Sequence, residues 1–165
     1  MNYKLVELNM KMDRIEYEMY QDIPVCESGS TNLCNGLPFE VFKPYLESQI
    51  ARKYQSISKY DTPTTTYIMY VNEYPVGYIG LRTEIDDNWK KWSGHFFYAI
   101  RVTERNKGYG KKILELGIQE LKKLGHTKVY GQSSSGNLAS SKVIEANGGI
   151  LLSQKGGTKY YKIDL

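Results

Sequence analysis

Residues 95–125 read HFFYAIRVTERNKGYGKKILELGIQELKKLG, and this stretch decides the fold. Its first part, HFFYAIRV over 95–102, is a near-continuous apolar run, which predicts a central strand buried on both faces. Its last part sets Ile113, Leu114, Ile118, Leu121 and Leu124 on one helical face over 109–124, with Gly125 as the stop. Between strand and helix lies Arg105-Asn106-Lys107-Gly108-Tyr109-Gly110. A helix start leaves several backbone N–H groups without intrahelical partners, and the macrodipole adds about half a positive charge there. Glycine at 108 and 110 lets the backbone approach a ligand closely, while Arg105, Lys107 and Lys111 add full charges. The combination predicts a cradle for a diphosphate. It is not a Walker A loop, because Gly110-Lys111 is followed by Lys112 and no glycine stands five before Gly110. Nor is it a dinucleotide fingerprint, because Gly108-x-Gly110 continues into Lys111-Lys112-Ile113.

The flanks complete an α+β pattern. Upstream, TTTYIMYV (64–71), a turn at Asn72-Glu73 and YPVGYIGLRTEI (74–85) predict a hairpin, followed by the loop DDNWKKWSG. Downstream come a strand, TKVYGQS (127–133), and a helix, NLASSKVIEAN (137–147), closed by Gly148-Gly149. Two short strands, ILLSQ and TKYYKID, follow. Nearer the start, residues 3–9 predict a strand, 12–22 a helix, and Cys26–Leu37 a polar loop. The segment 38–55 predicts a second helix, with Phe42, Leu46 and Ile50 on one face. Pro44 marks a candidate start for it, since a missing N–H is harmless only in the first turn. An antiparallel meander followed by strand–helix–strand–helix describes one α+β domain over residues 1–165, with a parallel step in its second half.

Bulk properties agree with a single globular domain and exclude several classes. At 165 residues, 41% hydrophobic and 24% charged, the chain is long enough to bury a core. No apolar run is long enough for a signal peptide or a membrane span, so a cytoplasmic location is expected, with no membrane partner. Cys26, Cys34, His95 and His126 are the only cysteines and histidines, and none forms a CxxC or HxxxH spacing, so no metal is expected. Of the net charge of +4, residues 101–125 account for all, with seven bases against three acids. That excess suits a phosphate-rich ligand, or else is the solvated face of an amphipathic helix. Glu115 and Glu120 interrupt it, and the remainder is balanced, which argues against nucleic acid as a partner.

The loop after the central strand resembles motif A of the GNAT N-acyltransferase superfamily, [QR]-x-x-G-x-[GA], with Arg105, Gly108 and Gly110 in its fixed positions. The run NLASSKVIEANGG is similar to motif B of the same superfamily, with Asn137, Ser140, Val143, Ile144, Glu145 and Gly148 in register. The order VGYIGLR, GH, aromatic strand, GYG and NGG resembles a bacterial subgroup of unassigned substrate. The resemblance spans at least residues 64–154 and implies a mixed, mostly antiparallel sheet of six to seven strands flanked by about four helices. It further implies acetyl-CoA as co-substrate and an N-acetyltransferase that modifies a primary amine of a small molecule or peptide. Carried over residue by residue, the backbone of Ile100, Arg101 and Val102 pairs with the pantetheine arm. The amides of Arg105, Asn106, Lys107, Gly108, Tyr109, Gly110 and Lys111 hold the diphosphate. Asn137 hydrogen-bonds the pantetheine and Ser140 sits beside it, although Asn137 also suits a helix cap and Ser140 a first-turn polar residue. A monomer or a homodimer is compatible with the pattern.

Direct attack by a neutral amine requires removal of an ammonium proton and return of a proton to the leaving thiolate. The family's usual acid is a tyrosine four residues before the motif B glycine, and here that position is Ile144. Tyr98, Ser140 and Ser141 are the substitutes in reach of the pattern, and solvent is another. Glu84, on the strand next to the central one, is a candidate base, or else an exposed carboxylate at a strand end. His95 is off parity for the catalytic face unless a bulge intervenes. Asp86 and Asp87 are candidate attractors for a cationic amine or plain turn residues, and Trp89 and Trp92 form the aromatic pair nearest the strand. Two rival readings remain: a non-catalytic acyl-CoA-binding sensor or partner subunit, and a nucleic-acid binder using the basic helix.

Overall fold

The computed structural model describes residues 1–27, 30–56, 62–87 and 93–165. In chain order its elements are β1 (Tyr3–Glu7), α1 (Arg14–Gln21), β2 (Cys26–Glu27), β3 (Ser30–Thr31), α2 (Phe42–Ala51), β4 (Thr65–Val71), β5 (Tyr74–Leu81) and β6 (Phe96–Ile100). They continue with α3 (Tyr109–Lys123), β7 (Lys128–Ser134), α4 (Leu138–Ala146), β8 (Gly149–Lys155) and β9 (Thr158–Asp164). Seven strands form two antiparallel leaves, ordered β1-β4-β5-β6 and β7-β9-β8, while β2 and β3 make a small separate hairpin. The expected α+β architecture is present, with the single sheet divided where the crossover through α3 was expected to add its parallel step.

Among the described residues, hydrogen bonds join the leaves at one place. The His95 amide donates to the Tyr130 carbonyl (2.8 Å), and the Tyr130 amide donates back to His95 Nδ1 (2.9 Å). The imidazole also stacks on the Tyr130 ring and meets His126 edge-on. Beyond this joint β6 and β7 part, and α3 and α4 flank the opening.

The near-continuous apolar strands are explained by two cores, one on each face of the first leaf. Met69, Val71, Ile79, Leu81, Phe96 and Ile100 pack against Ile113, Leu114 and Leu121 of α3. On the other face, Ile68, Tyr70, Tyr78 and Ala99 pack against Met19 and Tyr20 of α1 and Phe42 and Leu46 of α2. Alternation along β6 therefore sends Phe96, Tyr98 and Ile100 toward α3, and Phe97 and Ala99 toward α1 and α2. Burying an apolar side chain contributes about 1.5–3 kcal/mol, so a slip of one residue in β6 would be costly.

Several boundaries differ from expectation for local reasons. The strand expected over 74–85 stops at Leu81: the Arg82 amide makes a last rung to the His95 carbonyl (2.8 Å), and Gly94, at φ +71°, then turns the partner strand away. The helix expected over 38–55 begins at Phe42 after a 3-10 turn at Phe39–Val41, which leaves Pro44 in its first turn. The Asn72-Glu73 turn has φ of 48° and 66°, the left-handed pair of a type I′ hairpin. Leu124, expected on the buried face of α3, is 62% exposed at its C-cap. The loop expected from Cys26 to Leu37 contains the β2–β3 hairpin, and Trp89 and Trp92 lie outside the described residues.

Candidate active site

The loop from β6 to α3 is shaped by two left-handed residues, Asn106 at φ 61° and Gly108 at φ 81°. Gly108 is the N-cap of α3 and brings no side chain to cap it. The first amide to enter the helix ladder is that of Lys112, which donates to the Gly108 carbonyl at 3.2 Å. The six amides from Asn106 to Lys111 find no acceptor among the described residues. Orphan donors gathered at a helix start form an anion site, because each unpaired N–H carries partial positive charge that water or an anion must satisfy.

This loop closes one end of a cleft of about 370 Å³ between the parted leaves. Phe96, Tyr98 and Ile100 of β6 form one wall, and Asn137, Ser140 and Val143 at the start of α4 form the other. The Arg101 amide bonds the Val76 carbonyl (3.0 Å) and the His95 carbonyl receives Arg82 N–H, so the odd-numbered backbone groups of β6 face β5. By alternation, those of Phe96, Tyr98 and Ile100 face the cleft as an open strand edge. An extended polar chain can add to such an edge. Gly110 keeps the neck of the cleft narrow: a Cβ there would sit 3.3 Å from Val143 and 3.8 Å from Tyr98.

Not every residue of the expected pantetheine strand reaches this cleft. Arg101 is buried, its Nε bonded to Asp22 Oδ2 (2.9 Å) and its guanidinium over the Tyr74 ring, and its amide is used by β5. The Val102 amide donates to the Asp22 carbonyl (3.0 Å). Asp22 also accepts from the Thr103 hydroxyl (2.6 Å). Burial pushes the Asp22 carboxyl up, but the bonds from Thr103 and Arg101 outweigh it and hold the carboxyl below its ordinary value. Arg101 and Val102 thus anchor the end of β6 to α1, which leaves Ile100 as the member of the trio lining the cleft.

Arg105 spans the cleft mouth. Its Nε donates to the Ile100 carbonyl (3.1 Å), and its two terminal nitrogens grip both oxygens of Glu27 at 2.8 and 2.5 Å. Lys107 pairs with Glu104 and Lys112 with Glu115, while Lys111 lines the cleft with no carboxylate partner among the described residues. At α4, Asn137 caps the helix and lines the cleft. Its Oδ1 caps the helix through the Ser140 amide (3.0 Å), and its Nδ2 makes no hydrogen bond among the described residues while Asn137 lines the cleft.

Tyr98 is the titratable group that β6 brings to the cleft wall. Burial raises its phenol, and the neighbouring Ser140 hydroxyl offsets part of that rise. Ser141 points elsewhere, sharing a buried 2.8 Å bond with Ser133. Ile144 is fully buried in the core and a Cβ on Gly149 would run into it, so position 144 does not line the cleft. Glu84 lies beyond the end of β5, exposed and outside the cleft lining, as do Asp86 and Asp87. His95 is 4% exposed and engaged at the joint of the two leaves. Among the described residues no group of three or more His, Cys, Asp or Glu could hold a metal ion, and no helix is long and apolar enough to cross a membrane.

Glu27, Ser30 and Asp22 carried no sequence signal. Glu27 and Ser30 reach the site, and Asp22 the end of β6 beside it, because the β2–β3 hairpin and the end of α1 fold against the end of β6, a contact that no local pattern encodes.

The family model for the Acetyltransferase (GNAT) family matches residues 31–148, which contain the cradle, the strand edge and α4. The chain belongs to the GNAT acetyltransferase family. No curated protein matches its sequence. Among solved structures the fold is similar to that of the Salmonella typhimurium protein yncA, solved with its cofactor acetyl-CoA. There the identity is 14% and the TM-score 0.65, with 100% of this chain and 95% of that one covered. It is also similar to the N-acetyltransferase PseH of Campylobacter jejuni, solved with acetyl coenzyme A (13% identity, TM-score 0.63, 99% of each chain). A third is the aminoglycoside acetyltransferase AAC(6')-Ib, solved with coenzyme A and kanamycin. For it the identity is 18% and the TM-score 0.66, with 99% of this chain and 95% of that one covered. These GNAT structures share the architecture described above, at identities that speak to fold alone.

Proposed function

We propose that the protein is an acetyl-CoA-dependent N-acetyltransferase that acts on a primary amine of a small molecule or peptide by direct attack. The observation that carries this reading is the run of unpaired amides from Asn106 to Lys111, opening onto the edge of β6 that no strand pairs among the described residues. A diphosphate satisfies the first feature and a pantetheine amide chain the second. Lys111 adds a cation at the diphosphate end, and Asn137 Nδ2 adds a donor opposite Ile100. Acetyl-CoA, when bound, supplies an acetyl thioester. In the reaction a C–N bond forms, the C–S bond breaks, one proton leaves the amine and one goes to the thiolate.

The chain's own contribution to that last step is assigned to Tyr98. A phenol raised by burial stays protonated through neutral pH and is loaded to donate as charge builds on sulfur. Ser140, beside it, orients the hydroxyl. Glu84 is not among the residues that line the cleft and has no part in this assignment, and Ile144 belongs to the core.

Calorimetric titration with acetyl-CoA, followed by thiol release against polyamines, aminoglycosides, amino acids and peptide N-termini, tests the reading. Binding that weakens with salt, and turnover of at least one amine class, are expected. Absence of binding removes the reading, and tight binding with no turnover on any amine replaces it with a non-catalytic acyl-CoA sensor.

A further inference from the structure

Where the leaves part, an aromatic ring closes the fork. The Phe96 side chain, first on β6 after the His95–Tyr130 joint, crosses to β7 and fills the place of a side chain on Gly131. A Cβ on Gly131 would stand 2.4 Å from the Phe96 Cζ, closer than carbon atoms approach, so glycine at 131 is what lets the ring lie there. Phe96 is 5% exposed and packed into the core under α3, which leaves its ring little freedom to swing aside. It also lines the cleft, so one residue belongs both to the core and to the cleft wall.

The cleft has a direction. The amide cradle follows the far end of β6, since Arg105 Nε reaches back to the Ile100 carbonyl (3.1 Å). A diphosphate held there sends its pantetheine arm back along β6 from Ile100 toward Phe96, a run of about 13 Å at strand spacing. Tyr98, assigned to protonate the sulfur, lies between them on the same face. Beyond the sulfur the acyl group therefore heads for the next side chain on that face, Phe96, about 7 Å further along the strand. An acetyl methyl in contact with the ring at ~3.5–4 Å accounts for over half of that span, and the bonds from sulfur to methyl for the rest. The neighbouring lining residues at this end, Ser93 before β6 and Gln132 after Gly131, are polar and offer a longer apolar chain little burial.

We propose that Phe96 sets the length of acyl group that the protein accepts, as a stop that admits acetyl and propionyl groups and turns away longer chains. The diphosphate and pantetheine contacts lie further along β6, so the stop acts on the acyl end of the donor alone. A close-packed interior has no slack for added methylenes, which is why a fixed ring discriminates by length. An open slot would do the reverse, each buried methylene tightening binding by about fourfold. A chain left in water would do neither.

This inference rests on acetyl-CoA lying along β6, and its test separates the two. Coenzyme A and its acetyl, propionyl, butyryl and hexanoyl thioesters are titrated calorimetrically into the protein, and each Kd is divided by that of coenzyme A for the same protein. No acceptor amine is needed. In the wild type, propionyl-CoA is expected within threefold of acetyl-CoA, and hexanoyl-CoA at least tenfold weaker. Phe96→Leu is expected to bring butyryl-CoA level with acetyl-CoA, and Phe96→Ala to do the same for hexanoyl-CoA. A ring that only filled the core would leave these ratios alone, because general damage to the cleft falls on coenzyme A as well. Where Phe96→Ala fails to fold, Phe96→Leu, which keeps a larger apolar side chain in the core, decides. The inference is overturned if hexanoyl-CoA binds the wild type as well as acetyl-CoA does, or if the folded variants keep the wild-type order. Failure of coenzyme A to bind the wild type is read first and overturns the underlying assignment as well.

Discussion

On the α3 side of β6 one end of the cleft is closed by the backbone amides of a single contiguous stretch, Asn106 to Lys111. On the α1 side a second hollow, of about 170 Å³, is walled by side chains from separate segments of the chain: α1, the β2–β3 hairpin, α2 with the residue after it, β4, β5 with the residue after it, and β6. The difference follows from what each kind of wall can do. A diphosphate is satisfied by N–H groups that any residue provides, so the sequence must supply conformation, as Asn106 and Gly108 do with their positive φ. A wall of side chains selects by charge and shape, which any fold can assemble from distant positions. One side is therefore a pattern, and the other a coincidence of topology.

The comparison is broken most sharply at Tyr98, the titratable side chain that β6 puts in the wall of the patterned side. Tyr98→Phe removes a hydroxyl and leaves the ring that Gly110 and Val143 pack near. If the phenol delivers the proton, kcat falls by about 100-fold, the lower end of what general acids contribute. The Kd for acetyl-CoA changes little, because the backbone edge of β6 is untouched. An unchanged kcat would return the proton to solvent. A smaller effect is expected at the neck of the cleft. Gly110→Val puts a Cβ 3.3 Å from Val143, already tighter than ordinary contact, and adds two methyl groups where the cleft is narrow. Acetyl-CoA affinity is expected to drop by about 30-fold, equivalent to ~2 kcal/mol. The melting temperature should move only a few degrees, since the addition faces the cleft and not the core. Equal affinity would mean that the diphosphate end does not pass Gly110.

Much of the patterned side is legible in the amino-acid sequence. The apolar run at 95–102, the loop glycines and the amphipathic repeat of α3 are local features, and local features survive in one dimension. Sequence patterns mislead where a residue's fate depends on a distant partner. Arg101 and Val102 have the right spacing to line the cleft, yet both are claimed by Asp22, 79 residues before Arg101. Glu84 resembles part of a strand because its neighbours are strand formers, but Gly94 has already turned the pairing partner away. Ile144 stands as a missing acid only under the family pattern, and the packing of α4 on the second leaf places it in the core. The second hollow offers no periodicity, since its lining residues come together only when α1 and α2 pack on the first leaf.

The smallest expected effect lies where the two sides are joined, at Asp22. Its carboxylate accepts from Arg101 and twice from Thr103, while its carbonyl accepts from the Val102 amide. In Asp22→Asn the backbone link persists and the charge is lost, leaving Arg101 buried beside a neutral group. A cost of about 1–2 kcal/mol at neutral pH is expected from weakening these charge-assisted bonds. Because folding lowers the Asp22 carboxyl below its ordinary value, its contribution is complete where the unfolded carboxyl is ionised, above about pH 5. As pH falls through the unfolded value near 4 toward the lower folded one, the folded state alone stays deprotonated at a growing disadvantage, and the contribution is lost. Urea denaturation of both forms from pH 7 to pH 3 reads this directly: the gap between wild type and variant should be widest at pH 6–7 and narrow below pH 4. A gap that stays constant down to pH 3 would mean that shape, and not charge, holds β6 to α1. Acetyl-CoA affinity measured at pH 7 should fall less than threefold, since Asp22 touches the strand end and not the cleft. A larger loss would show that the cradle depends on the α1 side for its geometry, and the contrast between the two faces of β6 would no longer stand.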